Sequence, residues 1–168
     1  MRFIASTLSL ALVSVASGCA SLPPDSNRMS PEMAPTPYSA AELRAGCPDG
    51  RVVRLQGTAP GSKTPTTDFH FTDGDAEGVT VSGERTTWEE LQSHASFPEE
   101  SVTITTDSRM IPDGEYECWL YTVRTTDGDD NRIERRMWFA RALPGPPIDM
   151  EIDINDQPFF SMTMIQTK

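Results

Sequence analysis

The chain is poor in the residues that usually carry chemistry. It has two histidines, His70 and His94, and three cysteines in 168 residues. No H-x-x-x-H or paired-cysteine spacing is present, so a zinc site would have to be assembled across the fold. There is no G-x-S-x-G elbow, and Cys47 and Cys118 lie in no local nucleophile signature. Carboxylates are plentiful, but 25 acids in this length produce many accidental pairs. The expectation is a non-enzymatic protein without a cofactor. Also missing is an apolar run of about 20 residues, the length that spans a bilayer. Basic residues are outnumbered 14 to 25. Their only dense cluster, Arg132, Arg135 and Arg136, is diluted by Asp127, Asp129, Asp130 and Glu134. Such a chain is repelled by nucleic acid and anionic surfaces alike, so no nucleic-acid partner is expected.

What is present begins at the N-terminus. Arg2 is followed by an apolar stretch from Phe3 to Val15, broken only by Ser and Thr. That is too short to span a membrane and has the form of a cleavable signal peptide over residues 1–18. The next residues, Ala16-Ser17-Gly18-Cys19, resemble the lipobox of bacterial lipoproteins, with Ala16 standing where Leu is usual. The resemblance implies lipidation of Cys19 and a membrane partner engaged through that lipid. Two or more acyl chains anchor a protein stably, at about 0.8 kcal/mol per buried methylene. Ala20, where enterobacterial inner-membrane retention uses Asp, favours the outer membrane of the cell envelope. Loss of Arg2 with the leader takes the net charge from −11 to −12.

The processed chain has 150 residues, enough for one domain with a sizeable core. Residues 19–37 read as the lipidated cysteine and a tether. Pro23, Pro24, Pro31, Pro35 and Pro37 bias the backbone toward polyproline II, and at about 3.1 Å per residue the tether would reach roughly 56 Å. The domain then occupies 38–168. Cys47 and Cys118 remain for a disulfide, which an envelope location permits. Closing a loop of about 72 residues would stabilise the fold by roughly 4.4 kcal/mol on the chain-entropy estimate. The alternative is two buried free thiols.

Ser39 and Glu42 form a capping box flanked by the staple pair Tyr38 and Leu43, with Gly46 and Pro48 ending a short helix. Thr87 and Glu90 open a second, with Trp88, Leu91 and Ala95 on one face and Pro98 closing it. Extended segments are expected at 52–55, 68–72, 79–83, 102–105, 116–123, 133–140, 148–154 and 159–165. The alternation of Ile148, Met150, Ile152 and Ile154 with Asp149, Glu151 and Asp153 is the clearest period of two. Asp127-Gly128 and Asn155-Asp156 mark hairpin loops. Strands joined by short turns argue an antiparallel sheet. The fold class is therefore α+β, mainly β: a curved antiparallel sheet of about eight strands with two short helices.

The strings Trp88-Glu89-Glu90-Leu91, His94-Ala95-Ser96-Phe97-Pro98, Cys118-Trp119-Leu120-Tyr121 and Trp138-Phe139-Ala140-Arg141 with Pro144-Gly145-Pro146-Pro147 resemble those of envelope lipoproteins of uncharacterised activity. The resemblance spans 38–168 and implies a β-rich domain at the cell surface or in the periplasm. In architecture the pattern is also similar to half-barrel carriers of lipoprotein sorting and lipid transport, a likeness of fold that confers no function.

Three site readings follow. Asp73, Asp75, Glu77 and Glu84 occupy positions 1, 3, 5 and 12 of an EF-hand-like loop with Gly78 at position 6, against which Asp68 to Phe71 reads as strand and Val79 and Val81 alternate. Trp119 and Tyr121 share one strand face while Cys118 and Leu120 share the other, so an apolar surface needs a cover or a partner. Met137, Met150, Met162 and Met164 fit a sheet core better than a soft-metal site. The functions in view are a structural or interaction module meeting another envelope protein, a carrier of an apolar ligand, and a calcium-binding module. Labelled palmitate is expected to enter the wild-type protein in a lipoprotein-processing host and to be absent from Cys19→Ser.

Overall fold

The computed structural model describes residues 21–62 and 65–168. The leader and Cys19 lie outside them. Nine strands form one antiparallel sheet: β1 (Val52–Thr58), β2 (Thr66–Thr72), β3 (Gly78–Val81), β4 (Glu84–Thr87), β5 (Val102–Ile111), β6 (Gly114–Thr126), β7 (Arg132–Ala140), β8 (Asp149–Ile154) and β9 (Gln157–Thr167). Their order is β4-β3-β2-β1-β9-β8-β7-β6-β5. The additional strand is β4. Ser82 and Gly83 both take positive φ (51° and 94°), the backbone of a primed hairpin turn, and the chain returns along β3 as Glu84–Thr87. Asn155 and Asp156 make the same kind of turn, with φ of 51° and 62°.

Both helices start where their caps place them. Helix α1 (Ala40–Gly46) carries the Ser39–Glu42 box, and α2 (Trp88–Ser93) the Thr87–Glu90 box. Among the described residues no helix is long and apolar enough to cross a membrane.

Register decides what each sheet face carries, since directly paired residues point the same way. Tyr121, Met137, Met150 and Met162 form one continuous row across β6, β7, β8 and β9. With Trp119, Val123, Phe139, Leu55 and Phe71 they build the apolar face on which the helices lie. The opposite face carries a second row, Leu120, Trp138, Asp149 and Thr163.

The proline-rich segment is not a tether. Pro23, Asn27 and residues 34–38 are buried, and the segment lies as a strap across β6. Trp119 Nε1 donates to the Ser21 carbonyl (2.9 Å), and Tyr121 Oη to the Pro35 carbonyl (2.7 Å). Tyr38 packs edge-on against Trp119 and Phe139 and donates to the Ala140 carbonyl (2.6 Å). The Thr36 hydroxyl proton is shared between two acceptors, the Asn27 and Tyr38 carbonyls (both 2.9 Å). The expected boundary at residue 38 therefore shifts to at least Ser21, and the 56 Å stand-off is lost. The backbone is not the extended rod that its composition suggests: it makes a 3-10 turn at Asp25–Asn27 and folds back, the Thr36 N–H donating to the Asn27 carbonyl (3.3 Å), over a large apolar surface of β6 with two hydrogen-bond donors.

The Trp138 face is covered by curvature. Arg109 on β5 binds Asp149 and Glu151 on β8, and its guanidinium stacks 4.0 Å from the Trp138 ring centre. In a flat sheet three strand spacings would separate β5 from β8 by about 14 Å. Only a strongly curled sheet closes that span. Asp107 accepts from Trp138 Nε1 at 2.8 Å, and the buried Asp149 carboxylate also accepts from Thr163 Oγ1 at 2.8 Å. Arg109→Ala would leave Asp149 as an unpaired buried charge, which costs about 3–5 kcal/mol. Arg132→Ala, breaking a pair with Asp156 in which both partners are exposed, is expected to cost under about 1 kcal/mol. Urea unfolding of the two variants measures the contrast.

Candidate functional site: an apolar cavity beneath the helices

Helices α1 and α2 have 7 and 6 residues, so each is only about 10 Å long. A nine-stranded sheet at about 4.8 Å per strand is far wider than such a roof can cover. Beneath and beside the helices the sheet leaves a cavity of about 940 Å³. Its walls come from Leu43 of α1, Leu55 of β1, Phe69 and Phe71 of β2, Val81 of β3, Leu91 of α2, Met137 and Phe139 of β7, Met150 of β8 and Met162 of β9. Glu84, Arg85, Glu90 and His94 bring polar groups to it. The methionine row that packs β6 to β9 thus also supplies deformable, polarizable wall.

One side chain ties α2 both to α1 and to the strap. Gln92 of α2 accepts from the Ala40 N–H of α1 (2.9 Å) and donates to the Asn27 carbonyl (3.1 Å) and Thr36 Oγ1 (3.0 Å) of the strap. At one side of the cavity Arg51, 5% exposed, donates to the Gly46 carbonyl (2.6 Å) and to the Pro144 carbonyl, and contacts Cys47 Sγ at 3.2 Å. Its Nη2 has no hydrogen-bond partner, and among the described residues no carboxylate pairs with it. The last carbonyl of α1, that of Gly46, faces this cation, as a helix C-terminus favours. Gly145 is required here, because a Cβ would come within 3.1 Å of Arg51 Nη1 and the residue has φ of +149°. Nothing in the local sequence pattern singles out Arg51; only the approach of residues 144–145 to α1 makes it a buried cation.

The sequence-based candidates fare differently. Trp119 and Tyr121 are buried under the strap and offer no open binding surface. The face that needed a cover is covered by the chain's own N-terminal segment.

The calcium loop is also overturned. Asp75 accepts from the Glu77 and Gly78 N–H groups (2.8 and 2.9 Å) and from Arg85 Nη2 (2.6 Å), while Arg85 Nη1 donates to the Asp73 carbonyl (2.6 Å). The hydrogen bonds from Gly78 and Glu77, then Arg85, hold the Asp75 carboxyl below its usual range. A guanidinium thus occupies the inner side of the loop. Asp73, Asp75, Glu77 and Glu84 form no metal-binding group, and no such group of three occurs among the described residues. Gly78 has a separate reason to be glycine, since a Cβ there would meet the Thr86 carbonyl oxygen at 2.1 Å.

Cys47 and Cys118 are both free and buried, so the expected disulfide is not formed. Cys47 lines the cavity under α1. Cys118 is the neighbour of Trp119 and opposes Asp107 and Ala140, so alternation directs it to the other sheet face. The sheet itself separates the two sulfurs. Burial, then Asp107, pushes the Cys118 thiol up to about 12. Burial also raises Cys47, with the Arg51 charge partly offsetting it.

No family model, curated protein or solved structure matches the chain.

Near pH 8 both thiols are protonated and inaccessible in the folded protein, so a thiol-reactive chromophore is expected to react slowly or not at all. In concentrated guanidinium chloride, without reductant, the lipidated or Cys19→Ser chain is expected to release two thiols; a result of zero would establish a disulfide.

Proposed function

We propose that this chain is a lipid-anchored protein of the bacterial envelope that holds an apolar ligand in the cavity beneath α1 and α2. The observation that carries the reading is the cavity itself. It measures about 940 Å³, within the range of 300–1,000 Å³ typical of small-molecule sites. Most of its wall is aliphatic, aromatic and methionine side chain, and Ser82, Glu84, Arg85, Thr86, Glu90, Ser93 and His94 form its polar part. That distribution suits an acyl chain that carries a polar headgroup. Envelope location and anchoring rest on the leader and on Ala16-Ser17-Gly18-Cys19.

A ligand and a packed core compete for the same surface here. Phe69, Val81, Leu91, Met150 and Met162 are only partly buried, which leaves apolar area in contact with water. Covering it stabilises a complex by about 25 cal/mol per Å² before the cost of immobilising the ligand. The polar groups of Glu84, Glu90 and His94 remain where a ligand headgroup could stay hydrated.

Protein expressed with its native leader and isolated without harsh detergent is expected to carry a lipid-sized adduct in native mass spectrometry. It should also bind an environment-sensitive fatty-acyl probe. Leu91→Trp, which fills the cavity from α2, is expected to weaken probe binding about tenfold or more, the loss of about 1.4 kcal/mol or more, with little change in Tm. A ligand-free wild-type protein that binds no acyl probe would refute the carrier reading.

A further inference from the structure

The strap fixes where an anchored protein meets its membrane. Ser21, the first described residue, is already held by the sheet: its carbonyl accepts from Trp119 Nε1 at 2.9 Å and its hydroxyl from Arg141 Nη2 at 3.4 Å. The Arg141 guanidinium in turn lies 5.5 Å from the Trp119 ring centre. Cys19 precedes Ser21 by two residues. Two residues reach at most about 7 Å, so an acyl group on Cys19 begins at this spot on the protein surface and not at the end of a long leash.

We infer that the protein docks on the bilayer in one fixed orientation, with the Ser21–Trp119–Arg141 end of the sheet against the lipid headgroups. The inference rests on lipidation at Cys19. Register defines the two ends. Ser21 lies at the end of β7, where the Arg141 N–H donates to the Glu117 carbonyl (2.9 Å), and the β5–β6 hairpin, closed where Ile111 opposes Gly114, projects on the same side about 16 Å beyond Trp119. The far end carries the β6–β7 loop. Strand β6 has 13 residues and at about 3.3 Å each sets these ends about 40 Å apart.

Exposed apolar side chains agree with this placement. Leu22 and Met110, 55% and 67% exposed, are large apolar side chains open to solvent on the docking end. Charge does not distinguish the ends, since exposed Asp113, Glu115 and Glu117 flank the β5–β6 turn as Asp127, Asp129 and Asp130 occupy the far loop. A lipid surface is the partner that the anchor point, the strap and the exposed side chains fit together.

The test uses the full lipidated protein in vesicles containing nitroxide-labelled lipid. Met110→Cys and Asp129→Cys are each labelled with a fluorophore under native conditions, where the buried thiols are protected. The label at 110 is expected to be quenched several-fold more strongly than the label at 129. Insertion of about twelve Gly-Ser residues between Cys19 and Ser21, which leaves the fold untouched and supplies a reach of about 19 Å, is expected to abolish the difference. Trp119→Phe, which removes the donor to Ser21 and keeps most of the ring packing, should reduce it. Equal quenching at 110 and 129 in the wild-type background, with the protein vesicle-bound, would overturn the fixed orientation. Failure of the wild-type chain to incorporate palmitate would instead remove lipidation at Cys19, and the inference with it. The acyl-probe assay on the cavity reads the carrier proposal separately.

Discussion

Strand β6 is apolar on both sides, and the rest of the molecule is arranged to cover it. Trp119, Tyr121 and Val123 project to one face, Cys118 and Leu120 to the other, with Trp138 beside Leu120 on β7. A sheet with one wet face would leave half of these side chains in water. The chain covers the two faces differently. On one it lays the strap and two short helices. On the other it curls the sheet on itself, and Arg109 spans the curl to Asp149 and Glu151 while lying flat on Trp138. The first cover comes from outside the sheet, the second from the sheet's own curvature.

Proline suits the strap for a physical reason. A chain laid over a buried aromatic surface must satisfy its backbone polar groups without forming a tenth strand. Pro35 and Pro37 have no N–H to satisfy, yet each keeps a carbonyl. The aromatic residues below bring donors and no competing acceptor demand: Trp119 Nε1 and Tyr121 Oη each take one strap carbonyl. The N–H groups that remain find partners off the sheet face, Ala34 with the Phe97 carbonyl and Thr36 with that of Asn27. Donor-poor backbone over donor-bearing rings is a stable pairing that neither segment would reveal alone.

That is also why this feature could not be read from the sequence. Signals closed within a few residues were legible. Both capping boxes are formed as read, the Ile148–Ile154 alternation became β8 with Met150 inward, and eight of the nine strands fall on the expected segments. The ninth, β4, is hidden because Ser82-Gly83 reads as the end of a strand, whereas both residues take positive φ and turn the chain within a hairpin. Signals that depend on distant contacts were misread. Residues 21–37 have the composition of a linker, and only β6 makes them a cover. Cys47 and Cys118 are a plausible pair by count alone, but the parity of Cys118 within β6 puts the sheet between them. The 73–84 loop matches calcium spacing, yet Gly78 answers to the Thr86 carbonyl and Arg85 supplies the cation. The cavity was the least legible element, since it arises from a mismatch between helix length and sheet width.

Strap and cavity are parts of one mechanical unit. Gln92 binds α2 to Ala40, Asn27 and Thr36, so the cavity roof is fastened to the same segment that leads from Cys19 to the sheet. Each such bond contributes only about 1 kcal/mol net, and Gln92 makes three from one partly buried amide. Moving α2 away from β8 and β9 while the strap stays in place would break two of them. Moving strap and helices together would instead uncover Trp119 and Tyr121, whose burial is worth several kcal/mol. Displacing α2 alone carries its own cost beyond the Gln92 bonds, because Trp88 at its start is 3% exposed and donates from Nε1 to the Asp75 carbonyl (3.0 Å). The helix is thus fastened at one end by a buried indole and at the other by an amide that reaches the strap, and both ends keep it seated over Met150 and Met162.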